Sequence, residues 1–174
     1  MRMVGRDAAP GAASARSRGA AMQTNPEPKR TAISVGDSAS FTKTITEADV
    51  VRFADASGDR NPLHLDEDYA SRTRFGRRVA HGVLSAGMIS AVLGNDLPGL
   101  GSIFVELSVR FVKPVFLGDT VTARVEVSEI AGPKRVRLLV SCANQRGEEV
   151  TVGHAVVVPP PGTRLEVNTS SSVK

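Results

Sequence analysis

Tryptophan is absent, tyrosine occurs once and phenylalanine six times in 174 residues. So few aromatic rings offer no stacking platform of the kind single-stranded nucleic acid requires. An excess of one charge is missing too. The net charge of +4 comes from residues 1–30, which carry six Lys/Arg against two Asp/Glu, whereas residues 31–174 carry sixteen of each. No basic surface for nucleic acid is expected on a body that is neutral overall. The single cysteine, Cys142, excludes an intrachain disulfide and a cysteine-based zinc cluster, and it fits a reducing compartment. No apolar run approaches the ~20 residues of a membrane span, so no membrane insertion is expected. Internal repeats, a Gly-rich phosphate loop and a Gly-x-Ser-x-Gly elbow are also absent.

What is present suits one soluble domain: 41% hydrophobic and 23% charged residues, in a chain long enough for a sizeable core. Residues 1–30 are rich in Ala, Gly, Ser and Arg and show no amphipathic pattern. They read as a disordered N-terminal extension, either an Arg-rich organelle-targeting segment or an over-extended reading frame whose native start is Met22. The domain is expected over 31–161, where three prolines end it, with a disordered Ser-rich tail over 162–174. The expected compartment is the cytoplasm, or the mitochondrial matrix if residues 1–30 are a transit segment.

Two stretches carry the chemistry. From Val83 to Leu93 there are eight apolar residues, one glycine and only Ser85 and Ser90 as polar ones, a helix apolar nearly all round and therefore buried. Running to Asn95, it is too short to span a bilayer. It opens at Gly82, where a missing Cβ lets a ligand approach unpaired amides backed by the positive end of the helix dipole. The other stretch is Asp59-Arg60-Asn61-Pro62-Leu63-His64, read as an extended loop because Asn61 precedes a proline. Asp59, Asn61 and His64 supply an acceptor, an orienting amide and an imidazole titrating near neutrality, the parts of a general acid/base site. His81 borders the site and shapes the turn into the helix, and His154 reads as a sheet residue. Asp59-x-Asn61 begins like a calcium loop, but Leu63 and His64 stand where it needs an oxygen ligand and glycine, so neither metal nor cofactor is expected.

The runs Ser57-Gly58-Asp59-Arg60-Asn61-Pro62-Leu63-His64-Leu65-Asp66, Arg74-Phe75-Gly76-Arg77, Val79-Ala80-His81-Gly82, Leu97-Pro98-Gly99 and Arg110-Phe111-x-x-Pro114-Val115-Phe116-x-Gly118-Asp119-Thr120 closely resemble the MaoC-like (R)-specific enoyl-CoA hydratases. The resemblance covers roughly residues 38–158. It implies an α+β hot-dog fold, an antiparallel β-sheet wrapped around one long central helix, and reversible hydration of a trans-2-enoyl thioester of coenzyme A or acyl carrier protein. It also implies that Asp59 and His64 hold and activate water, that the Gly82 amide binds the thioester carbonyl, that Ser90 matches a serine near the catalytic histidine, and that two sheets pair in a homodimer. A hot-dog acyl-CoA thioesterase and a non-catalytic acyl-thioester-binding subunit remain as alternatives.

Around these stretches the sequence lays out a frame. A strand is expected over Ala39–Thr44, and Thr46 with Asp49 forms a capping box for a helix ending at Ser57-Gly58. Asp66 caps a further short helix. Alternating Val105, Leu107, Val109 and Phe111, then Val121, Ala123, Val125 and Val127, begin an antiparallel meander with one apolar face. Strands over 135–143, which carries Cys142 inward, and 148–158 continue it. Arg72, Arg74, Arg77 and Arg78 cluster within seven residues, suited either to coenzyme A phosphates and an acidic carrier protein or to surface pairing with Asp66, Glu67 and Asp68.

Overall fold

The computed structural model describes residues 31–166, so the expected extension over 1–30 and residues 167–174 of the expected tail lie outside the described residues. Five antiparallel strands form one sheet in the order β2-β4-β5-β6-β3: β2 (Ser38–Thr44), β3 (Ile103–Phe111), β4 (Thr120–Ile130), β5 (Val136–Ala143) and β6 (Glu149–Val158). Helix α4 (Gly82–Asn95) lies across it, presenting Ile89, Val92 and Leu93 to buried Val121, Val125, Val127, Leu138 and Val140. This is the expected α+β hot-dog arrangement. It follows from the period-2 pattern of β4 and β5, whose inward residues are buried and outward ones half-open, closing over the apolar stripe of α4. Cys142 is one of those inward residues, and burial pushes its thiol up to about 12.

Helix α1 (Glu47–Ser57) starts at the expected capping box, with the Asp49 amide donating to the Thr46 hydroxyl and the Thr46 amide to the Asp49 carboxylate. It stops at Gly58, whose φ of 78° is left-handed, and this turn delivers the chain to Asp59. Asp66 caps α3 (Glu67–Ser71) by accepting from the Tyr69 amide.

The structure corrects the sequence reading at five points. Residues 61–65 are not an extended loop: Pro62 opens a one-turn helix, α2 (Pro62–Leu65), while Asn61 keeps the extended ψ of 127° expected before proline and serves as its cap. The strands do not form a simple meander, because β3 pairs with β6 at the far edge and the segment 112–119 crosses to reach β4. A bulge between Phe104 and Glu106 breaks the alternation of β3, so Val105, expected to face inward, is exposed. Nor is α4 covered all round, since Val83, Gly87 and Ser90 form an open face.

The fifth correction concerns the end of the domain. Residues 162–166, assigned to the tail, include β7 (Arg164–Glu166), which pairs in parallel with β1 (Ala32–Ser34), and Leu165 packs on the core. A chain ending at Pro161 should therefore be less stable than one ending at Glu166. Leu165 alone represents about 1–2 kcal/mol of apolar burial, or roughly 3–8 °C in Tm by calorimetry. Equal midpoints for the two chains would show that β7 contributes nothing.

Candidate active site

The site forms where α2, the entry to α4 and the crossing segment meet. Asn61 caps α2, its Oδ1 accepting from the Leu63 amide at 3.0 Å, and thereby fixes the turn on which His64 stands. His64 Nδ1 lies 2.8 Å from the Val79 carbonyl oxygen. A carbonyl only accepts, so Nδ1 carries the proton and Nε2 keeps a free lone pair. Asp59 has its amide on Ser57 Oγ at 3.2 Å and its Oδ1 accepting from the Asn61 amide at 3.2 Å. The neighbouring Arg60 turns away to Asp55, leaving the Asp59 carboxylate without a cation on it from that side.

His81 is buried, its ring centroid 3.9 Å from that of His64, and its Nε2–H donates to the Asp59 carbonyl at 3.0 Å. Asp59, His64 and His81 each offer a polar atom within 4.8 Å of one another, close enough for one small molecule such as water to touch more than one of them. The structure thus brings together the acid and imidazole singled out in the sequence and adds a second imidazole beside them.

Gly82 begins α4, so its amide has no partner within the helix. A Cβ there would sit 3.2 Å from the Phe111 ring, so a side chain at this position would have to push that ring back by a few tenths of an ångström. His64, Gly82, Ser85, Phe111 and Val115 border one cavity of about 320 Å³. Its polar groups include the His64 imidazole, the helix-terminal Gly82 amide and the buried Ser85 hydroxyl, set among apolar side chains. Such a cavity can take a proton at one side and stabilise a developing oxyanion at the other.

The supporting residues fare unevenly. Ser90 is exposed on the open face of α4 and does not border the cavity; Ser85, one turn after Gly82, does. The spacing of Ser85 from Gly82 was the available signal. Thr151 also borders the cavity with its hydroxyl buried, a polar residue at an inward position paired with Cys142, which the two-sided apolar run of β6 hides in the sequence. Of the arginines, Arg74 borders the cavity and lies over the Phe75 ring at 4.8 Å, and Arg77 lies over Phe116 at 4.0 Å. Arg78 is engaged elsewhere. It is only 18% exposed and pairs with Glu47 at 3.1 Å and Glu67 at 3.2 Å, tying α1 to α3. Lys113, overlooked in the sequence, borders the cavity and pairs with Glu148 at 2.9 Å. Hydrogen bonds from Asn144, then Lys113 and Arg146, hold the Glu148 carboxyl down at about 2.

The segment 31–146 matches the model of the MaoC-like domain family. The chain is 48% identical over 128 residues to an (R)-specific enoyl-CoA hydratase of Rhodospirillum rubrum, covering 74% of this chain and 89% of that one. It is 46% identical over 129 residues to a 3-hydroxybutyryl-CoA dehydratase of Methylorubrum extorquens, with 74% and 82% covered. Among solved structures, the (R)-hydratase from A. caviae involved in PHA biosynthesis superposes with a TM-score of 0.71 at 43% identity, covering 72% of this chain and 96% of that one.

The arginines divide in a testable way. Arg78→Ser should lower stability by about 1–2 kcal/mol in urea melts, because a largely buried guanidinium loses two carboxylates and leaves them unpaired. Arg74→Ser, which breaks no ion pair named here, should stay within roughly 0.5 kcal/mol of wild type. Equal midpoints for both would remove the structural role of Arg78.

Proposed function

The chain belongs to the MaoC-like domain family, and we propose that it is an (R)-specific enoyl-CoA hydratase, equally a 3-hydroxyacyl-thioester dehydratase. The observation that carries this reading is the His64 imidazole, within 4.8 Å of the Asp59 carboxylate, bordering the same cavity as the Gly82 amide at the start of α4; Asp59 itself does not line that cavity. Water held by Asp59 and His64 gives a proton to this pair, which later returns it to C2, as its oxygen bonds to C3 of the trans-2-enoyl thioester. The C3–C2 electron pair moves through C1 onto the thioester oxygen, which the Gly82 amide and the α4 dipole stabilise. C2 then takes a proton, and the product is the (R)-3-hydroxyacyl thioester. Asn61 orients the turn that carries His64. Arg74 and Lys113, both bordering the cavity, are suited to the phosphates of coenzyme A or an acidic carrier protein.

Asp59→Asn and His64→Gln keep approximate shape but not proton handling, so each should lower kcat roughly 10²- to 10⁴-fold with the fold intact. The double variant should fall far short of their product, since the two groups act on one water. Hydration consumes the conjugated enoyl absorbance and releases no thiol, whereas hydrolysis releases a free thiol. Buried Cys142 adds no background to a thiol reagent. Thiol appearing as fast as substrate is lost would make the protein a thioesterase. Absence of both signals would favour a non-catalytic binding subunit, and loss of activity after exhaustive chelation would make the Asp59, His64 and His81 cluster a metal site.

The proposed assembly is a homodimer. The sheet edge β3 leaves Ile103 63%, Phe104 40% and Phe111 51% exposed, next to the open Val83 and Ser90 face of α4. A second copy placed edge to edge would cover both and remove an unpaired strand edge. Ser90, outside this protomer's cavity, would then lie at the junction of the two copies. Light scattering at micromolar concentration should return twice the chain mass; a monomer mass would defeat the assignment.

A further inference from the structure

We propose that His81 is a positioning residue that holds Asp59 in place through the Asp59 backbone carbonyl; the inference deepens the reading of Asp59 given above and rests on it. Asp59 lies on an exposed turn after Gly58. Its other hydrogen bonds, to Ser57 and Asn61, span two residues each. Such local bonds shape the turn but do not determine where it sits against the rest of the protein. The His81 Nε2–H bond reaches 22 residues along the chain and ties the turn to the entry of α4. One side chain therefore sets the distance between the carboxylate and Gly82, the two parts of the site that come from different elements.

His81 is a costly way to fill this space. It is 2% exposed, packed between Phe53 at 4.8 Å and His64 at 3.9 Å, and its Nδ1 is buried with no hydrogen-bond partner. With the Asp59 carbonyl accepting from Nε2–H, the bare nitrogen is Nδ1, a buried acceptor left unsatisfied. An apolar side chain would fill the gap without that cost. The imidazole is accounted for by its single directed donor, and its ring also limits how far the His64 ring can turn.

His81→Gln and His81→Met test this in the full chain. Glutamine places an amide N–H near the position of Nε2 and methionine has about the same length without a donor, so both lose the ring and only the glutamine keeps a donor for the Asp59 carbonyl. The first readout is hydrogen exchange of the backbone amides over residues 59–63, which needs no substrate. Exchange in the methionine variant should be at least about fivefold faster than in the glutamine variant, because local opening is no longer opposed by the tie. The second is hydration of enoyl-CoA. The methionine variant should have a kcat roughly 10- to 100-fold below the glutamine variant, with KM within about threefold, as expected for a misplaced reacting group. Should both fail to fold without the ring, His81→Phe, which keeps it, is compared with wild type by the same two readouts. Equal exchange, or unequal exchange with equal kcat, overturns the proposal. If wild type hydrates nothing while the exchange contrast persists, the positioning role stands and the assigned reaction falls.

Discussion

The peptide of Val79 is the constraint on which the site depends. Its carbonyl accepts from His64 Nδ1–H at 2.8 Å, its amide donates to the Leu63 carbonyl at 3.3 Å, and it forms a bridge with Phe116. One residue on, the Ala80 amide donates to Val115 at 2.8 Å, and then come His81 and Gly82. Four consecutive positions thus join the turn carrying the imidazole, the segment crossing the sheet and the start of α4. The bond to His64 also selects its tautomer, because a carbonyl can pair only with the protonated nitrogen. Removing that carbonyl would free the ring to rotate and leave the lone pair without a fixed direction.

The crossing segment explains how a flat sheet acquires a cavity. Since β3 pairs with β6, the chain must travel from one edge toward the other before β4 begins, and residues 112–119 make that passage over the mouth of the fold. Val112 donates to the Val150 carbonyl at 2.9 Å at one end, and Gly118 donates to Ile45 at 2.8 Å at the other. Buried Asp119 accepts from the Phe116 amide and the Gln145 side chain, holding the passage to the β5–β6 turn. Lys113 is pinned to the same turn by Glu148. The network's carboxylates are well supplied with donors, so its value is geometric more than energetic: exposed ion pairs such as Lys113–Glu148 contribute little to stability.

Much of this was legible in the residues, for identifiable reasons. Thr46 with Asp49, Gly58 and Asp66 are local signals whose meaning does not depend on distant partners, and they appear as written. The alternation of β4 and β5 identified the buried face because those strands are central and covered on one side. What the sequence hid is what depends on distant neighbours. Nothing in Arg72–Arg78 distinguishes Arg78, committed to Glu47 and Glu67, from Arg74 on the cavity. The pairing of β3 with β6 is equally silent locally, because β3 and β4 would alternate in the same way as adjacent strands. Pro62 was read for its effect on Asn61, correctly, but the same ring also fits the first position of a helix, and the Asn61 cap decided between the two outcomes.

The choice of groups around the cavity has its own logic. In the proposed reaction the group facing the oxyanion is the neutral Gly82 amide at a helix start and not a cation; Arg74 lies over the Phe75 ring and Lys113 donates to Glu148. A free cation in that position would attract any anion, including a carboxylate product, and bind the ground state as strongly as the transition state. A fixed N–H dipole interacts weakly with a thioester carbonyl and more strongly once negative charge has moved onto its oxygen. In the proposed reaction, that oxygen would lie beside the Phe111 ring, which comes close to Gly82 because the glycine has no Cβ. On this proposal, rate enhancement depends on keeping a water held by Asp59 and His64 in register with an amide from another element, the register that the Val79 and His81 hydrogen bonds would maintain.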